Sequence, residues 1–321
     1  MRTNPWFRIA ATAGGILFVL LLAASWRFAQ SRGIFASVQD RAPGTCRALE
    51  GVTGVTAIAM DVRASTAFVA SRQGALYAWH DGTLTKMAGT PKDFHPVALA
   101  VAHPPGAAAM LQALFDRAGG DPSIAIFNIL PGKLVEVGRL GTDMLTDPAD
   151  LAAVDGTRFY LVNRHGSRTA LGRWLDDTFL VPRAEVLYFD GMKFVAVAGR
   201  LNSPSGLALS PDGSHLYVGE ELSRSLASFT RSDFTGALGS AALLSLPAGP
   251  RKITPAPDGS LIVAAWPKRG AGAVYRVRLD GGVPQSSELL YATTHGEVTA
   301  AAEAGGHLLI GTETALVDCR L

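Results

Sequence analysis

The chain has 321 residues, a formal net charge of +2 and a charged fraction of 17%. A chain of this length can build a sizeable core, and it needs neither a metal nor a disulfide merely to fold. Its lysines and arginines form no clustered stripe of the kind that follows a phosphate backbone, so we expect no nucleic-acid partner.

Residues 9–26 are apolar throughout and lie between Arg8 and Arg27. As a helix they would extend roughly 27 Å, close to the thickness of the hydrocarbon core of a bilayer. We therefore predict a transmembrane signal-anchor helix at 9–26, after a short tail at 1–8 and before a polar linker at 27–45. A cleaved signal peptide and a buried core helix are the two alternatives.

Hairpin signals follow one another along the rest of the chain. The clearest lies in residues 206–221, GLALSPDGSHLYVGEE, where two β-rich runs flank a Pro-Asp-Gly turn. Pro211 fixes one backbone φ angle, and Asp212 and Gly213 supply a bend with a residue that tolerates positive φ. This stretch predicts two antiparallel strands joined by a tight turn.

The hairpins recur at a regular interval. Corresponding strands begin near Ser214, Ser260 and His307, which are 46 and 47 residues apart. A repeat of this length with four strands indicates a β-propeller, and residues 46–321 accommodate roughly six blades. The predicted fold class is therefore all-β, a six-bladed β-propeller preceded by a transmembrane helix; a pair of β-sandwiches does not explain the period. Residues 104–120 are predicted as a helix over one face, or instead as a strand with a long turn.

The chain has two cysteines, and they lie at the two ends of the predicted propeller. Cys46 follows the linker, and Cys319 is the third residue from the end. An N-terminal strand often completes the last blade of a propeller, which would bring the two thiols together as a disulfide. Such a bond persists outside the reducing cytosol, so it predicts a periplasmic or extracellular propeller with the N-terminus inside. Two unrelated buried thiols are the alternative.

Three stretches carry a family resemblance: GTCRALEGVTG, SGLALSPDGSHLYVGEE and GGHLLIGTETALVDCRL. Through them residues 44–321 resemble the paraoxonase/arylesterase family, within the senescence-marker-protein and gluconolactonase group of six-bladed propellers. The resemblance implies hydrolysis of lactones and aryl esters, with a calcium ion at the floor of the channel. It also implies a disulfide between the terminal cysteines and an N-terminal segment that is kept as an anchor.

The calcium ligands of that family are largely replaced here. Other residue types stand at the matching positions, including that of a proposed base: Thr56, Ala57, Val97, Ala98, Ala149, Ser205, Arg251 and Lys252, whereas Pro96 and Gly206 keep the residue types of the family. Only Asp150 remains at a family position for an acidic ligand. Calcium prefers several oxygen ligands, so we expect no bound metal and no cofactor. The alternative is a match displaced by a few residues, with Asp143, Asp147 and Asp150 as an acidic cluster that binds calcium.

Candidate site residues lie in the loops that the resemblance places at the channel. Arg251 and Lys252 bring two positive charges to the position of a divalent ion, and they predict a cationic floor for a carboxylate or phosphate. In the alternative, both side chains point to solvent. Further ligand-binding candidates are His95 and, in LVNRHG, Asn163 and His165.

Three residues are candidates for catalysis: His165, Asn163 and Ser205. Ser205 would need a neighbouring base to act as a nucleophile, and the sequence contains no Gly-x-Ser-x-Gly elbow. Two acidic pairs lie nearby. Glu220 and Glu221 are interpreted as a solvated loop after a strand, with a pocket acid as the alternative, and residues 176–177 as a surface turn.

The sequence as a whole predicts a membrane-anchored, extracytoplasmic propeller. It is expected to bind a small ligand, an anion in particular, in its channel without calcium-dependent hydrolysis. Its partners would be the membrane, through residues 9–26, and that small molecule. Three alternatives stay open: a metal-independent enzyme on this scaffold, an ester or lactone hydrolase, and a non-catalytic propeller that assembles with membrane partners.

Overall fold

The computed structural model describes residues 5–116 and 121–321. Their strands form six four-stranded antiparallel sheets. In chain order these strands are β1 (Cys46–Leu49), β2 (Val55–Asp61), β3 (Thr66–Ser71), β4 (Leu76–His80), β5 (Thr83–Lys86), β6 (His95–Ala102), β7 (Met110–Asp116), β8 (Ser123–Leu130), β9 (Lys133–Leu140), β10 (Pro148–Ala153), β11 (Phe159–Asn163), β12 (Ala184–Phe189), β13 (Phe194–Leu201), β14 (Pro204–Leu209), β15 (His215–Glu220), β16 (Ser225–Arg231), β17 (Leu238–Ser245), β18 (Gly249–Pro255), β19 (Leu261–Trp266), β20 (Gly272–Asp280), β21 (Val283–Thr293), β22 (Val298–Ala304), β23 (His307–Thr312) and β24 (Leu316–Arg320).

The sheets are the six blades of a closed ring. From the inner strand outward they are β2-β3-β4-β5, β6-β7-β8-β9, β10-β11-β12-β13, β14-β15-β16-β17, β18-β19-β20-β21 and β22-β23-β24-β1. Each inner strand packs against the inner strands of both neighbours, and β22 contacts β2. The six-bladed propeller is thus confirmed, and a pair of β-sandwiches is excluded because a sandwich does not close into a ring.

The last blade joins the two ends of the propeller sequence. β1 pairs antiparallel with β24, and Cys46 lies opposite Cys319 in the register. The two sulfur atoms form a disulfide across 273 positions of sequence. The predicted disulfide is therefore confirmed. The two cysteines meet because the N-terminal strand completes a blade that the C-terminal strands begin.

The hairpin predicted from the Pro-Asp-Gly turn is also confirmed. β14 and β15 pair up to Leu209 and Leu216, and Gly213 between them has a φ of +74°. Hydrogen bonds from the Ser210 and Ser214 hydroxyls to the Asp212 carboxylate hold the pKa of that group at about 2. The turn is therefore fixed by local side-chain bonds as well as by backbone preference.

Of the two alternatives for residues 104–120, the helix is wrong for the described part. Residues 110–116 form strand β7, which pairs with β6 on one side and β8 on the other. Alanine, leucine and glutamine favour helices locally, but pairing on both edges and burial on both faces outweigh that weak preference. Residues 117–120 lie outside the described residues.

Two helices accompany the propeller. One was predicted with shorter bounds, and the other was not predicted. α1 (Pro5–Ser31) includes a stretch, Thr12–Ser31, that is long and apolar enough to cross a membrane. α1 is longer than the predicted 9–26 helix at both ends. Residues 1–4 of the predicted tail lie outside the described residues. α2 (Ala170–Phe179), between β11 and β12, was not predicted.

The segment between α1 and β1 makes close contacts with the propeller. Gly33 packs so tightly on the Pro267 carbonyl that a Cβ there would collide with the oxygen. Farther along, Arg41 exchanges backbone hydrogen bonds with Ala292 on β21, and Asp40 accepts one from the Thr294 amide at 2.7 Å. The segment is therefore docked on the propeller, and α1 is held at one end of the channel.

Candidate functional site

All six inner strands share an irregularity near their first residue. The register with the neighbouring strand shifts there by one residue, leaving a bulge at Thr56, Val97, Ala149, Ser205, Arg251 and Thr299. A bulge redirects side chains, and bulges occur often beside active sites. The first five are positions that the resemblance matched to calcium ligands or to the proposed base, so the structure places these positions at equivalent points of the ring.

At this ring Asp150 and Lys252 form an ion pair across the channel. The Lys252 ammonium donates to Asp150 Oδ1 at 2.8 Å and to the Ala149 carbonyl at 2.7 Å. The second carboxylate oxygen accepts the Leu207 amide at 2.8 Å. Only 13% of the Lys252 side chain and 5% of the Asp150 side chain are exposed. Burial raises the pKa of Asp150 and lowers that of Lys252, and each charge opposes the shift of the other.

These residues do not fit a calcium ion. Both oxygens of Asp150 already accept hydrogen bonds, and the Lys252 ammonium occupies the space beside one of them. The acidic cluster considered as an alternative does not form, because Asp147 is bonded to His165 instead. Within the described residues no group of three or more His, Cys, Asp and Glu could hold a metal. Calcium needs several oxygen ligands and is repelled by a fixed positive charge.

Two cavities adjoin these charged residues at this end of the ring. A cavity of about 110 Å³ lies along the channel, and Asp150 and Lys252 are its charged lining residues. A larger pocket of about 630 Å³, which we call the mouth pocket, lies over the start of the inner strands. It is lined by Arg32, Ile34, Arg164, His165, Asp177, Ser203, Glu221, Leu222, Arg251, Trp266, Arg269 and Glu297.

Arg251 does not join Lys252 in a cationic floor. Its guanidinium donates to Glu297 at 2.6 Å, lies 3.5 Å from Glu221, and stacks 5.5 Å from the centre of the Trp266 ring. Lys252 is paired with Asp150 on the channel side. Both charges that the sequence analysis assigned to an anionic ligand are thus neutralised within the chain, and the solvent-exposed alternative is also wrong because both groups are largely buried.

His165 is held between two carboxylates. Its Nδ1 lies 2.5 Å from Asp147 Oδ2, and its Nε2 lies 2.9 Å from Asp177 Oδ1. Burial alone would lower the pKa of His165, but the hydrogen bonds to the two carboxylates outweigh it and raise the pKa to about 9. At neutral pH the ring is therefore protonated, with both nitrogens donating. An imidazolium cannot take up a further proton, so His165 does not serve as a general base at that pH.

The remaining candidates have structural partners. The Asn163 amide accepts from the Thr146 backbone N–H at 3.1 Å and donates to the Met144 carbonyl at 2.9 Å. The buried Ser205 hydroxyl donates to the Pro250 carbonyl at 2.7 Å. His95 is exposed and lies outside the mouth pocket. Of the residues predicted for ligand binding, the pocket thus brings together His165 and Arg251.

For Glu220 and Glu221 the favoured interpretation as a solvated loop is wrong and the alternative of a pocket acid fits Glu221, whereas Asp177 was assigned to the wrong element. Glu220 and Glu221 are buried, and Glu221 lines the mouth pocket. Burial raises the pKa of Glu220, whose carboxylate accepts the Asn202 amide at 2.6 Å. Asp177 belongs to α2 rather than to a surface turn. The sequence feature that could have predicted α2 is the amphipathic run 170–179 after Thr169. The Thr169 hydroxyl caps the helix by accepting a hydrogen bond from the Gly172 amide.

The two carboxylates around His165 make a pH-dependent contribution to stability. The pKa of His165 is about 9 in the folded state and about 6.5 in the unfolded chain. Its contribution to the free energy of unfolding is therefore complete below pH 6.5 and is lost as the pH rises through 9. We expect His165→Gln to lower the free energy of unfolding by about 2 kcal/mol at pH 6.5, the range of charge-assisted hydrogen bonds, and by much less at pH 10. Thermal melts of both proteins across this range measure the difference.

The matched control is His80→Gln, because His80 is exposed and its described contact is the Thr66 hydroxyl rather than a carboxylate. Its effect should be small at every pH. A His165→Gln effect that stays constant from pH 6.5 to 10 would contradict the assigned protonation.

Comparison with known proteins identifies the family. A sequence model described as arylesterase matches residues 132–294, slightly more than half of the chain. The chain belongs to the arylesterase family. The resemblance seen in the sequence is thereby confirmed, and the scaffold is that of a hydrolase-like propeller. No curated protein matches the sequence of this arylesterase-family chain.

Solved structures show the same fold at low sequence identity. A luciferin-regenerating enzyme is 12% identical, with a TM-score of 0.59 over 87% of this chain and 95% of its own. A gluconolactonase from Xanthomonas campestris is 20% identical, with a TM-score of 0.58 over 89% and 99%. The calcium-binding protein regucalcin from Agrobacterium tumefaciens is 17% identical, with a TM-score of 0.57 over 88% and 95%. At these identities the likeness concerns the fold of this arylesterase-family propeller.

Proposed function

We propose that this protein is a membrane-anchored propeller of the arylesterase family that binds a small anionic ligand in its mouth pocket, without calcium-dependent hydrolysis. The observation that carries the proposal is a set of buried polar atoms around that pocket. Within the described chain Glu221 Oε2, Arg251 Nε and Trp266 Nε1 have no hydrogen-bond partner. A buried unsatisfied polar group is costly, and a ligand with donors and acceptors would relieve that cost.

The charge of the pocket supports an anion. Arg164 and Arg269 are exposed at its rim, and in the described structure neither guanidinium lies within 4.0 Å of a carboxylate oxygen, although Arg164 is near enough to lower the pKa of Asp147 and of Asp177. Arginine offers planar paired donors that suit a carboxylate or phosphate. The apolar lining, Trp266 with Ile34 and Leu222, favours a ligand that also carries a flat or apolar group. An aromatic carboxylate therefore represents the expected class.

Independence from calcium is supported by the ion pair in the channel. Lys252 supplies, from within the chain, the positive charge that opposes the Asp150 carboxylate. The fold then needs no metal at this point, and a divalent cation would have to displace a buried ammonium group.

The membrane anchor and its orientation are part of the proposal. The Thr12–Ser31 stretch of α1 has the length and composition of a transmembrane span. The Cys46–Cys319 disulfide favours an oxidising compartment, so we place the propeller on the periplasmic or extracellular side.

A thermal-shift experiment on the full chain in detergent tests the ligand and the metal together. Benzoate at increasing concentration, in EDTA, is expected to raise the melting temperature by mass action, whereas calcium at millimolar levels should leave it unchanged. Arg164→Ala/Arg269→Ala should abolish the response to benzoate. The control Arg63→Ala removes an exposed arginine outside the mouth pocket and should retain it.

A rise with calcium alone would contradict the proposal and favour the second candidate, an ester or lactone hydrolase. That candidate is supported by the family match over residues 132–294. Turnover of phenyl acetate or of a lactone, measured with calcium and with EDTA, would identify it and would show whether it needs the metal. A response to neither benzoate nor calcium, with no turnover, would leave the non-catalytic assembly propeller.

A further inference from the structure

A further cavity lies between the end of α1 and the fourth blade. Its volume is about 800 Å³, and we call it the α1 cavity. The last turns of α1 and the segment after it form one wall, and the loops that follow β13, β15 and β17 form the other. Among the described lining residues the α1 cavity shares only Leu222 with the mouth pocket. The two are therefore separate sites at the same end of the ring.

The lining of the α1 cavity is positively charged and rich in polar groups. Two arginines, two amides and several hydroxyls contribute to it, among them Arg27, Gln30, Asn202, Ser223, Arg224 and Ser245. None of the described residues that line it is acidic, whereas the mouth pocket combines its arginines with three carboxylates. Arginine offers paired N–H donors that match the geometry of a phosphate. The charge and the donors of the α1 cavity therefore suit a phosphate group.

The two arginines differ in how firmly they are held. Arg224 donates from Nη1 to the Pro247 carbonyl at 2.8 Å and from Nη2 to the Pro267 carbonyl, and its buried Nε has no partner in the described structure. Arg27 is exposed and forms no ion pair with any described residue. One guanidinium is thus fixed by the propeller with a donor to spare, and the other is free to close on a ligand.

A second buried atom without a partner indicates that the ligand also carries hydroxyl groups. Within the described chain, Oδ1 of the Asn202 side chain is buried and accepts no hydrogen bond. An amide oxygen can only accept, so its partner has to be a donor, which a phosphate dianion does not supply. The exposed hydroxyls of Ser223 and Ser245 can both donate and accept. A ligand with alcohol groups beside its phosphate satisfies this set.

The backbone around the α1 cavity is strained. Leu180 and Arg224, which line it, have φ angles of +53° and +51°, and Ser203, next to Asn202, has a φ of +47°. These are three of the six non-glycine residues with positive φ in the described chain. Such conformations occur often at ligand sites, where the surrounding structure holds them in place.

We propose that the α1 cavity binds a phosphate ester of a polyol, with the phosphate on Arg27 and Arg224 and the alcohol groups on Asn202 and the two serines. Phosphoglycerol is a small group with both parts, and it occurs in soluble glycerol 3-phosphate and in the headgroup of phosphatidylglycerol. The site does not depend on the function proposed for the mouth pocket. Only the lipid source rests on the membrane anchoring proposed above.

A thermal-shift titration of the full chain in detergent and EDTA tests the soluble ligand. Glycerol 3-phosphate is expected to raise the melting temperature by mass action, whereas glycerol at the same concentrations should not. Arg27→Gln removes one charge-assisted contact, and Ser223→Glu adds a carboxylate that repels the phosphate. Each should weaken the apparent affinity by about tenfold or more. Both positions are exposed, so both variants should fold.

Two controls separate this site from other anion sites. Arg41→Gln removes an exposed arginine of the same segment, outside the α1 cavity, and should keep the full response to glycerol 3-phosphate. Arg164→Ala/Arg269→Ala should also keep it, and Arg27→Gln should keep the response to benzoate. Failure of the mouth pocket and failure of the α1 cavity are therefore distinguishable.

Lipid retention measured by native mass spectrometry tests the lipid source. The full chain in detergent is incubated with equal amounts of phosphatidylglycerol and phosphatidylserine. Both lipids carry one net negative charge, but only the first has a polyol headgroup. If the lipid is the source, we expect phosphatidylglycerol to be retained several times more strongly, and Arg27→Gln and Ser223→Glu to remove this preference.

The combined outcomes decide the proposal. A response in either assay that both variants abolish supports it and identifies the source of the phosphate ester. The absence of a response to glycerol 3-phosphate, together with equal retention of the two lipids, overturns it. A response that Arg27→Gln and Ser223→Glu leave unchanged also overturns it, because the ligand then binds elsewhere.

Discussion

Replacing Lys252 by methionine is expected to lower the free energy of unfolding by about 3–5 kcal/mol, because Asp150 is then left as a buried charge without its counter-ion. The carboxylate would keep only the hydrogen bond from the Leu207 amide as its described protein contact outside its own strand. Methionine conserves most of the volume of the lysine side chain, so a large cavity is not the cause. Equilibrium denaturation in urea, at pH 7 and with EDTA present, measures the change.

Two further variants make this result specific. Lys193→Met removes a lysine from an exposed turn and should change stability little. Asp150→Asn in the Lys252→Met background removes the stranded charge and should recover a good part of the loss. If Lys252→Met is no more destabilising than Lys193→Met, the ion pair between Asp150 and Lys252 does not stabilise the fold.

Removing the Cys46–Cys319 disulfide is the other large expected effect. The bond closes a loop of 273 positions, and the chain-entropy account assigns about 5 kcal/mol to a loop of that size. Cys46→Ser/Cys319→Ser should therefore lower the melting temperature by roughly 10–20 °C, given a few degrees per kcal/mol for a domain of this size. Scanning calorimetry of the two proteins is the measurement.

Reduction provides the control for this prediction. The wild-type protein in dithiothreitol should melt near the temperature of the double serine variant, and the variant itself should not respond to the reductant. A double variant that melts at the wild-type temperature would mean that β1 is held by its strand pairing alone.

The fold could be predicted because its signals are local. The Pro211-Asp212-Gly213 turn determines a hairpin within a few residues, and its recurrence gives the blade length. Residues 110–116 were harder to predict, since their local preference is helical. Only the pairing of β7 with two neighbouring strands makes them a strand.

The site was harder to predict from the sequence, because the residues that contact one another there lie far apart along the chain. The family comparison found Asp150 and Lys252 separately, but their bond joins residues 102 positions apart. Arg251 bonds to Glu297, 46 positions away, and no local pattern links them. α2 was missed for a different reason: its apolar residues face outward, so a reading that expects polar surfaces took its acidic pair for a turn.

The pairing of β1 with β24 also constrains the order in which the molecule can be made. Blades one to five each consist of consecutive strands and can form as the chain emerges, whereas β1 must wait for a partner that is synthesised some 270 residues later. Until then its edge is unpaired and Cys46 is a free thiol exposed to oxidants and to wrong partners. Because the chain has two cysteines, no wrong pairing within one copy competes with this bond, and its formation marks the completion of the last blade.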